Sequence, residues 1–190
     1  ADTLERGPCT VLTNGTLFTE RRVEGLVDLT RASRYALEIR VSLDGERPET
    51  HDAFRGAGSF ERAIAGIVML ARNGLLPIVT VTQNVEEDGE LRERYLAMLH
   101  AAGVARPRLK VLPMFQLGRE VARTRGYQAP ETLADLPSEA FDPHRLQCSS
   151  GRAVSSQGVF VCPLLVDAPG GRLGARLDEP LGPFTLSHGA

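Results

Sequence analysis

The chain has 190 residues, of which 42% are hydrophobic and 24% charged, a composition that gives a soluble globular protein with one core. A net charge of −2 leaves no basic footprint, which argues against nucleic-acid binding. No run approaches the roughly 18 consecutive apolar residues of a membrane span, and no secretory leader pattern opens the chain, so no membrane partner and a cytoplasmic location are expected.

The first two thirds repeat one theme. A short apolar strand near Thr10–Leu12 ends in Thr13-Asn14-Gly15, and Thr19 is placed to cap a helix carrying Val23, Leu26, Val27 and Thr30 at helical spacing. The stretch Leu37–Asp44 alternates strictly, with Leu37, Ile39, Val41 and Leu43 on one face and Glu38, Arg40, Ser42 and Asp44 on the other. A long glycine- and charge-rich loop follows. Ser59 is then the expected cap of a helix whose stripe is Ile64, Ile67, Val68 and Ala71, with Asn73-Gly74 as its stop. A third strand at Ile78–Thr82 leads to an acidic loop, a helix with Leu91, Tyr95, Met98, Leu99 and Ala102, the stop Gly103, and a fourth strand at Leu109–Met114.

Strand and helix alternating in this way imply parallel strands joined by right-handed crossovers. Parallel sheets usually have both faces covered by apolar side chains. The polar face of Leu37–Asp44 is explained if the fold is α/β, a partial (β/α) barrel of four strand–helix units with Ser42 and Asp44 lining a polar interior. An edge strand with one wet face is the alternative. A full eight-unit barrel takes roughly 250 residues, so the chain is expected to be a piece of a longer protein.

From Gln116 the rhythm breaks. Residues 116–147 mix short helical segments around Arg119–Arg125 with Pro130, Pro137 and Pro143, and residues 153–161 have the pattern of a hairpin. Pro169-Gly170-Gly171 onward is expected to be loop. The division is therefore 1–115 for the barrel portion and 116–190 for a small cysteine-containing C-terminal extension. The three cysteines, Cys9, Cys148 and Cys162, form no disulfide framework. In a reducing compartment they are metal ligands, nucleophiles or buried apolar side chains.

Thr13-Asn14-Gly15-Thr16-Leu17, Ser42-Leu43-Asp44-Gly45, His51-Asp52, Arg55-Gly56 and Gly58-Ser59-Phe60 occur in that order. As an ordered set they resemble radical S-adenosylmethionine enzymes, of the branch with a cysteine-rich SPASM or twitch extension that includes sulfatase-maturing and peptide-modifying enzymes. The resemblance covers about residues 8–166. It implies a partial barrel of six strand–helix units, of which the strands here are the third to sixth. It also implies that S-adenosylmethionine is held with Ser42 and Arg55 on its carboxylate, a charged fork and a short hydroxyl suited to that group. Asp44 accepts from the ribose or fixes the loop, and Asn14 sits at the same rim. Read without the resemblance, Ser42 and Asp44 shape the turn before Gly45 and Arg55 is a solvated charge. His51-Asp52 is expected to tie the loop through side-chain hydrogen bonds.

The Cys148–Cys162 segment, Cys-x9-Gly-x3-Cys, resembles the opening of the extension's motif, one residue short between glycine and cysteine. It implies Cys148 and Cys162 as ligands of an auxiliary iron–sulfur cluster, with a buried structural pair as the alternative. The main [4Fe–4S] cluster of the family needs Cys-x3-Cys-x2-Cys, which this sequence does not contain. The parent protein is thus expected to cleave S-adenosylmethionine reductively to modify a peptide, protein or small metabolite, and this polypeptide alone is expected not to. A degenerate barrel acting as a binding or scaffold module is the competing reading. A hydrolase or aldolase is disfavoured, since His51, His100, His144 and His188 show no paired spacing and Lys110 is the single lysine.

Overall fold

The computed structural model describes residues 2–83, 90–116, 118–128, 131, 142, 145–167 and 170–179. Contacts divide the chain into two compact units, Ala1–Phe115 and Gln116–Ala190. In the first, a short helix α1 (Asp2–Arg6) precedes β1 (Cys9–Thr13), α2 (Glu20–Ala32), β2 (Leu37–Ser42), α3 (Pro48–Arg55), α4 (Ser59–Arg72), β3 (Ile78–Gln83), α5 (Leu91–Ala101) and β4 (Arg108–Pro113). The four strands form one parallel sheet in the order β1-β2-β3-β4.

Period-two alternation decides which side of the sheet is covered. Ile39, Val41, Val79 and Val81 are buried and share a core with Val23 of α2, Ala63, Ile67 and Leu70 of α4, and Tyr95 and Leu99 of α5. Each such aliphatic side chain contributes about 1.5–3 kcal/mol on burial. The helices α2, α4 and α5 therefore cover one face, as sequential parallel strands with right-handed crossovers require. On the opposite face the register sets Ser42 beside Thr80, and Thr80 beside Lys110. On that face Glu38, Arg40, Ser42 and Thr80 are half-buried and Lys110 is exposed.

The expected strands are present with ends shifted by a residue or two. Thr19 caps α2, its side chain accepting from the Arg22 N–H. Two expectations are corrected. The long loop after β2 contains α3, started by Pro48 at its first turn and stopped at Gly56; proline's fixed φ suits a first turn. Ser59 is not the cap of α4. Gly58, at φ 71° and ψ 9°, occupies the cap position, and the oxygen that satisfies the first turn comes from Asp52, six to eight residues upstream. The chain also starts with a helical turn, α1, ahead of β1.

In the second unit a 3-10 turn spans Gly118–Ala122 and α6 spans Gln147–Ser150. The expected hairpin is β5 (Ala153–Ser155) against β6 (Gly158–Phe160), antiparallel. A strand β7 (Arg172–Gly174) pairs with β6, where loop was expected. Val159, Phe160 and Val161 are buried, so β6 is the apolar centre of this sheet, and β7 covers the edge that a two-strand hairpin leaves open. The residues around Pro130, Pro137 and Pro143 lie outside the described residues.

Candidate cofactor site

Residues 43–46, between β2 and α3, are each anchored. Leu43 is fully buried, its N–H donates to the Thr80 carbonyl at 2.9 Å, and its carbonyl accepts from the Tyr95 hydroxyl at 3.4 Å. The Asp44 N–H donates to Nδ1 of His51 at 3.0 Å. The Asp44 carboxylate accepts from Nε of Arg55 at 2.5 Å. Glu46 accepts from Nε of Arg94 on α5 at 3.1 Å. Gly45 packs directly on α3, where a Cβ would fall on the Thr50 hydroxyl and 2.5 Å from the His51 nitrogen. Glycine is required here by that close approach.

Asp52, the next residue along α3, is a distant cap for α4. Its carboxylate accepts from the Gly58 N–H at 2.6 Å, the Phe60 N–H at 2.8 Å and the Ser59 hydroxyl at 3.0 Å. These bonds, the Phe60 amide foremost, hold its pKa below the usual 3.8. His51 is fully buried and meets the Phe60 ring edge-on, with centroids 5.9 Å apart. Burial, the largest influence, together with the Arg55 charge, lowers its pKa from 6.5, against the pull of Asp44 and Asp52. The lowered pKa favours the neutral imidazole, the form that can accept the Asp44 N–H at Nδ1. His51-Asp52 thus ties the β2–α3–α4 connection together, which is the structural role expected of it.

Of the four residues assigned to the cofactor, Asp44 and Arg55 are brought into direct contact. Ser42 stands two residues before Asp44, at the end of β2 and on the polar face of the sheet. Among the described residues no hydrogen bond engages its hydroxyl. Asn14 follows β1, one residue beyond the Thr13–Val41 pair, so it lies at the same sheet edge as Ser42. Its side chain accepts from the Thr16 N–H and hydroxyl at 3.2 and 3.0 Å, a local Asx-type turn. The Arg55–Asp44 pair uses Nε and leaves both terminal guanidinium nitrogens as donors. A serine hydroxyl and an oriented guanidinium near the carboxyl edge of parallel strands suit a carboxylate-bearing ligand.

Thr80 was not singled out from the sequence. Its hydroxyl oxygen is buried without a partner among the described residues, on the strand directly beside Ser42. Its signal is the alternation of Thr80 and Thr82 with Val79 and Val81. An apolar cleft of about 540 Å³ lies elsewhere, between β1 and α2, and includes Val11, Leu17, Phe18 and Leu26 but none of the assigned residues.

Cys148 lies in α6, and its side chain is outside the described residues. Cys162 follows β6 and has a free, half-buried thiol. Cys9 is also free but belongs to the first unit. Among the described residues no three His, Cys, Asp or Glu side chains are grouped to hold a metal ion, and no helix is long and apolar enough to cross a membrane. A [4Fe–4S] cluster is held by several thiolates, so the donor set described does not fit the family's main cluster.

No family model matches the chain. It is 49% identical over 61 residues to the AdoMet-dependent heme synthase of Methanosarcina barkeri, a match covering 32% of this chain and 16% of that enzyme. It is 35% identical over 94 residues to the mycofactocin maturase MftC of Mycolicibacterium smegmatis, covering 46% of this chain and 23% of the relative. The MftC of Mycobacterium ulcerans is 33% identical over 85 residues, covering 41% and 23%. The matches thus span from 16% to 23% of these relatives' lengths. They support the radical S-adenosylmethionine resemblance carried by the motifs.

Proposed function

We propose that this chain supplies the S-adenosylmethionine-carboxylate side of the active site of a radical S-adenosylmethionine enzyme acting on a peptide, protein or small metabolite. The observation that carries the reading is the Asp44–Arg55 pair beside Ser42 at the carboxyl edge of a parallel sheet. The motif order and the partial similarity to an AdoMet-dependent heme synthase and to mycofactocin maturases support it. In this reading Ser42 donates its hydroxyl and Arg55 its terminal nitrogens to the carboxylate, Asp44 orients Arg55, and Asn14 borders the cofactor on the neighbouring strand.

The four-stranded sheet is then a segment of a partial (β/α) barrel whose lumen is the polar face bearing Ser42, Thr80 and Lys110. Residues 1–115 form the barrel portion and 116–190 the start of a SPASM or twitch extension. Cys148 and Cys162 are ligands of an auxiliary cluster, and the enzyme works in the cytoplasm. The test is an anaerobic assay of the full-length protein, reconstituted with iron and sulfide and reduced, for 5′-deoxyadenosine. Formation in the wild type and its loss in Arg55→Met support the reading; the absence of 5′-deoxyadenosine from a fully reconstituted wild type refutes it.

A further inference from the structure

Two side chains on one face of α3 grip the same residue. His51 and Arg55 are four apart, hence one above the other on the helix, and both reach Asp44. His51 takes its main-chain N–H, and Arg55 its carboxylate. The first contact sets where the Asp44 backbone runs, and the second sets where the guanidinium sits relative to it. Arg55 is partly exposed and paired to a partly exposed carboxylate, so its pair alone is a weak constraint. His51 is buried, packed on Phe60 and covered from all sides, so its bond is the rigid member of the two.

We propose that His51 is a positioning residue for the cofactor site. In its neutral form it accepts from the Asp44 amide and so fixes the Asp44–Arg55 pair beside Ser42, and protonation of the ring releases that loop and weakens cofactor binding. The proposal rests on the cofactor reading above. A protonated imidazole carries N–H on both nitrogens and would point a donor at the Asp44 N–H. The charged groups acting on the ring are Asp44 from the β2–α3 loop and Asp52 and Arg55 from α3 itself, while α4 contributes the uncharged Phe60. Burial and Arg55 oppose protonation, Asp44 and Asp52 favour it, and burial is the largest influence.

The test uses the full-length protein as wild type, His51→Asn and His51→Leu. Asparagine can place its amide oxygen near the position of Nδ1 and does not titrate; leucine fills the space without an acceptor. Binding of S-adenosylmethionine, followed by calorimetry at pH 7.5, should weaken about tenfold in His51→Leu, where the Asp44 amide loses its acceptor and the loop its anchor, and stay within about threefold of wild type in His51→Asn. As pH falls from 7.5 through the lowered His51 pKa, wild-type affinity should fall more steeply than that of His51→Asn. Where the wild type binds, equal affinity in all three proteins, or identical pH profiles in wild type and His51→Asn, overturns the proposal.

Hydrogen exchange of the Asp44 amide gives a readout independent of the cofactor. Protection kept in His51→Asn and lost in His51→Leu supports the positioning role even if the wild type binds no S-adenosylmethionine, an outcome that sinks the cofactor reading alone. Unchanged protection in His51→Leu overturns the role. If His51→Leu does not fold, the wild-type and His51→Asn pH profiles decide.

Discussion

The carboxylate of Asp44 accepts a hydrogen bond from Nε of Arg55 at 2.5 Å, across eleven residues of chain. A free arginine side chain carries about 2 kcal/mol of rotamer entropy. Pairing before the ligand arrives spends part of that entropy on folding instead of on binding, which is what preorganisation means for affinity. In the proposed cofactor site, the carboxylate would thus act through the arginine, by aiming its two terminal nitrogens.

Asp44→Asn and Arg55→Lys should separate aim from charge. Both groups are partly exposed, so either change should alter folding stability by less than about 1 kcal/mol. Affinity for S-adenosylmethionine should instead drop about five- to tenfold in each, because a lysine offers no planar fork and an unpaired arginine must be ordered on binding. Titration calorimetry and urea denaturation on the same samples check the split. Equal losses in stability and affinity would show the pair to be a fold element only.

The acid limb of stability should carry two signatures. The His51 pKa is depressed in the folded protein, so its contribution is complete above the ordinary 6.5 and is lost as pH falls through the lowered value. The Asp52 pKa is also depressed, so its contribution is complete above 3.8 and is lost below it. His51→Asn should flatten the slope just below pH 6.5, and Asp52→Asn the slope below pH 3.8. Denaturant midpoints measured from pH 7.5 to 3 read both. A steeper slope in either variant contradicts the assignment.

Gly45→Ala should be costly although it adds a single methyl. The new Cβ would fall on the Thr50 hydroxyl and the His51 main-chain nitrogen, and relieving such overpacking costs about 1–3 kcal/mol. Because the displaced atoms belong to the start of α3, cofactor affinity should decline with stability. Thermal denaturation checks the first effect, and an unchanged melting temperature would contradict the close packing.

The sheet was legible in the sequence because alternation such as Leu37-Glu38-Ile39-Arg40-Val41-Ser42 is a local signal with one structural solution. Thr19 at the start of α2 was legible for the same reason. The capping of α4 was not. Ser59 offered the local signal, but the oxygen comes from Asp52, and a bond spanning six to eight residues leaves no periodic trace. α3 was hidden inside a segment rich in glycine and charge, although Pro48 at its start, Glu49 in its first turn and Arg55 in its last were the marks of a helix. The ordered motifs picked out Ser42, Asp44 and Arg55 as one group, and α3 explains how Asp44 and Arg55 meet. β7 escaped because three residues are too few for alternation to register.

In the proposed extension, Cys148→Ala and Cys162→Ala in the full-length protein should each lower iron content. Loss of one auxiliary cluster removes up to about four irons per chain. Iron and acid-labile sulfide analysis after anaerobic reconstitution measures it. Unchanged iron in both variants removes these cysteines from the ligand set and leaves them as packing residues.

The most direct measurement compares binding of S-adenosylmethionine with that of its decarboxylated analogue, in wild type, Ser42→Ala and Arg55→Met. Wild type should prefer the carboxylate-bearing cofactor by about tenfold or more, the range expected when a charge-assisted contact is lost. Ser42→Ala should narrow the preference, and Arg55→Met should abolish it while leaving affinity for the analogue unchanged. A wild-type protein that binds both ligands equally, or an Arg55→Met variant that keeps the full preference, would contradict the placement of the cofactor carboxylate at Ser42 and Arg55.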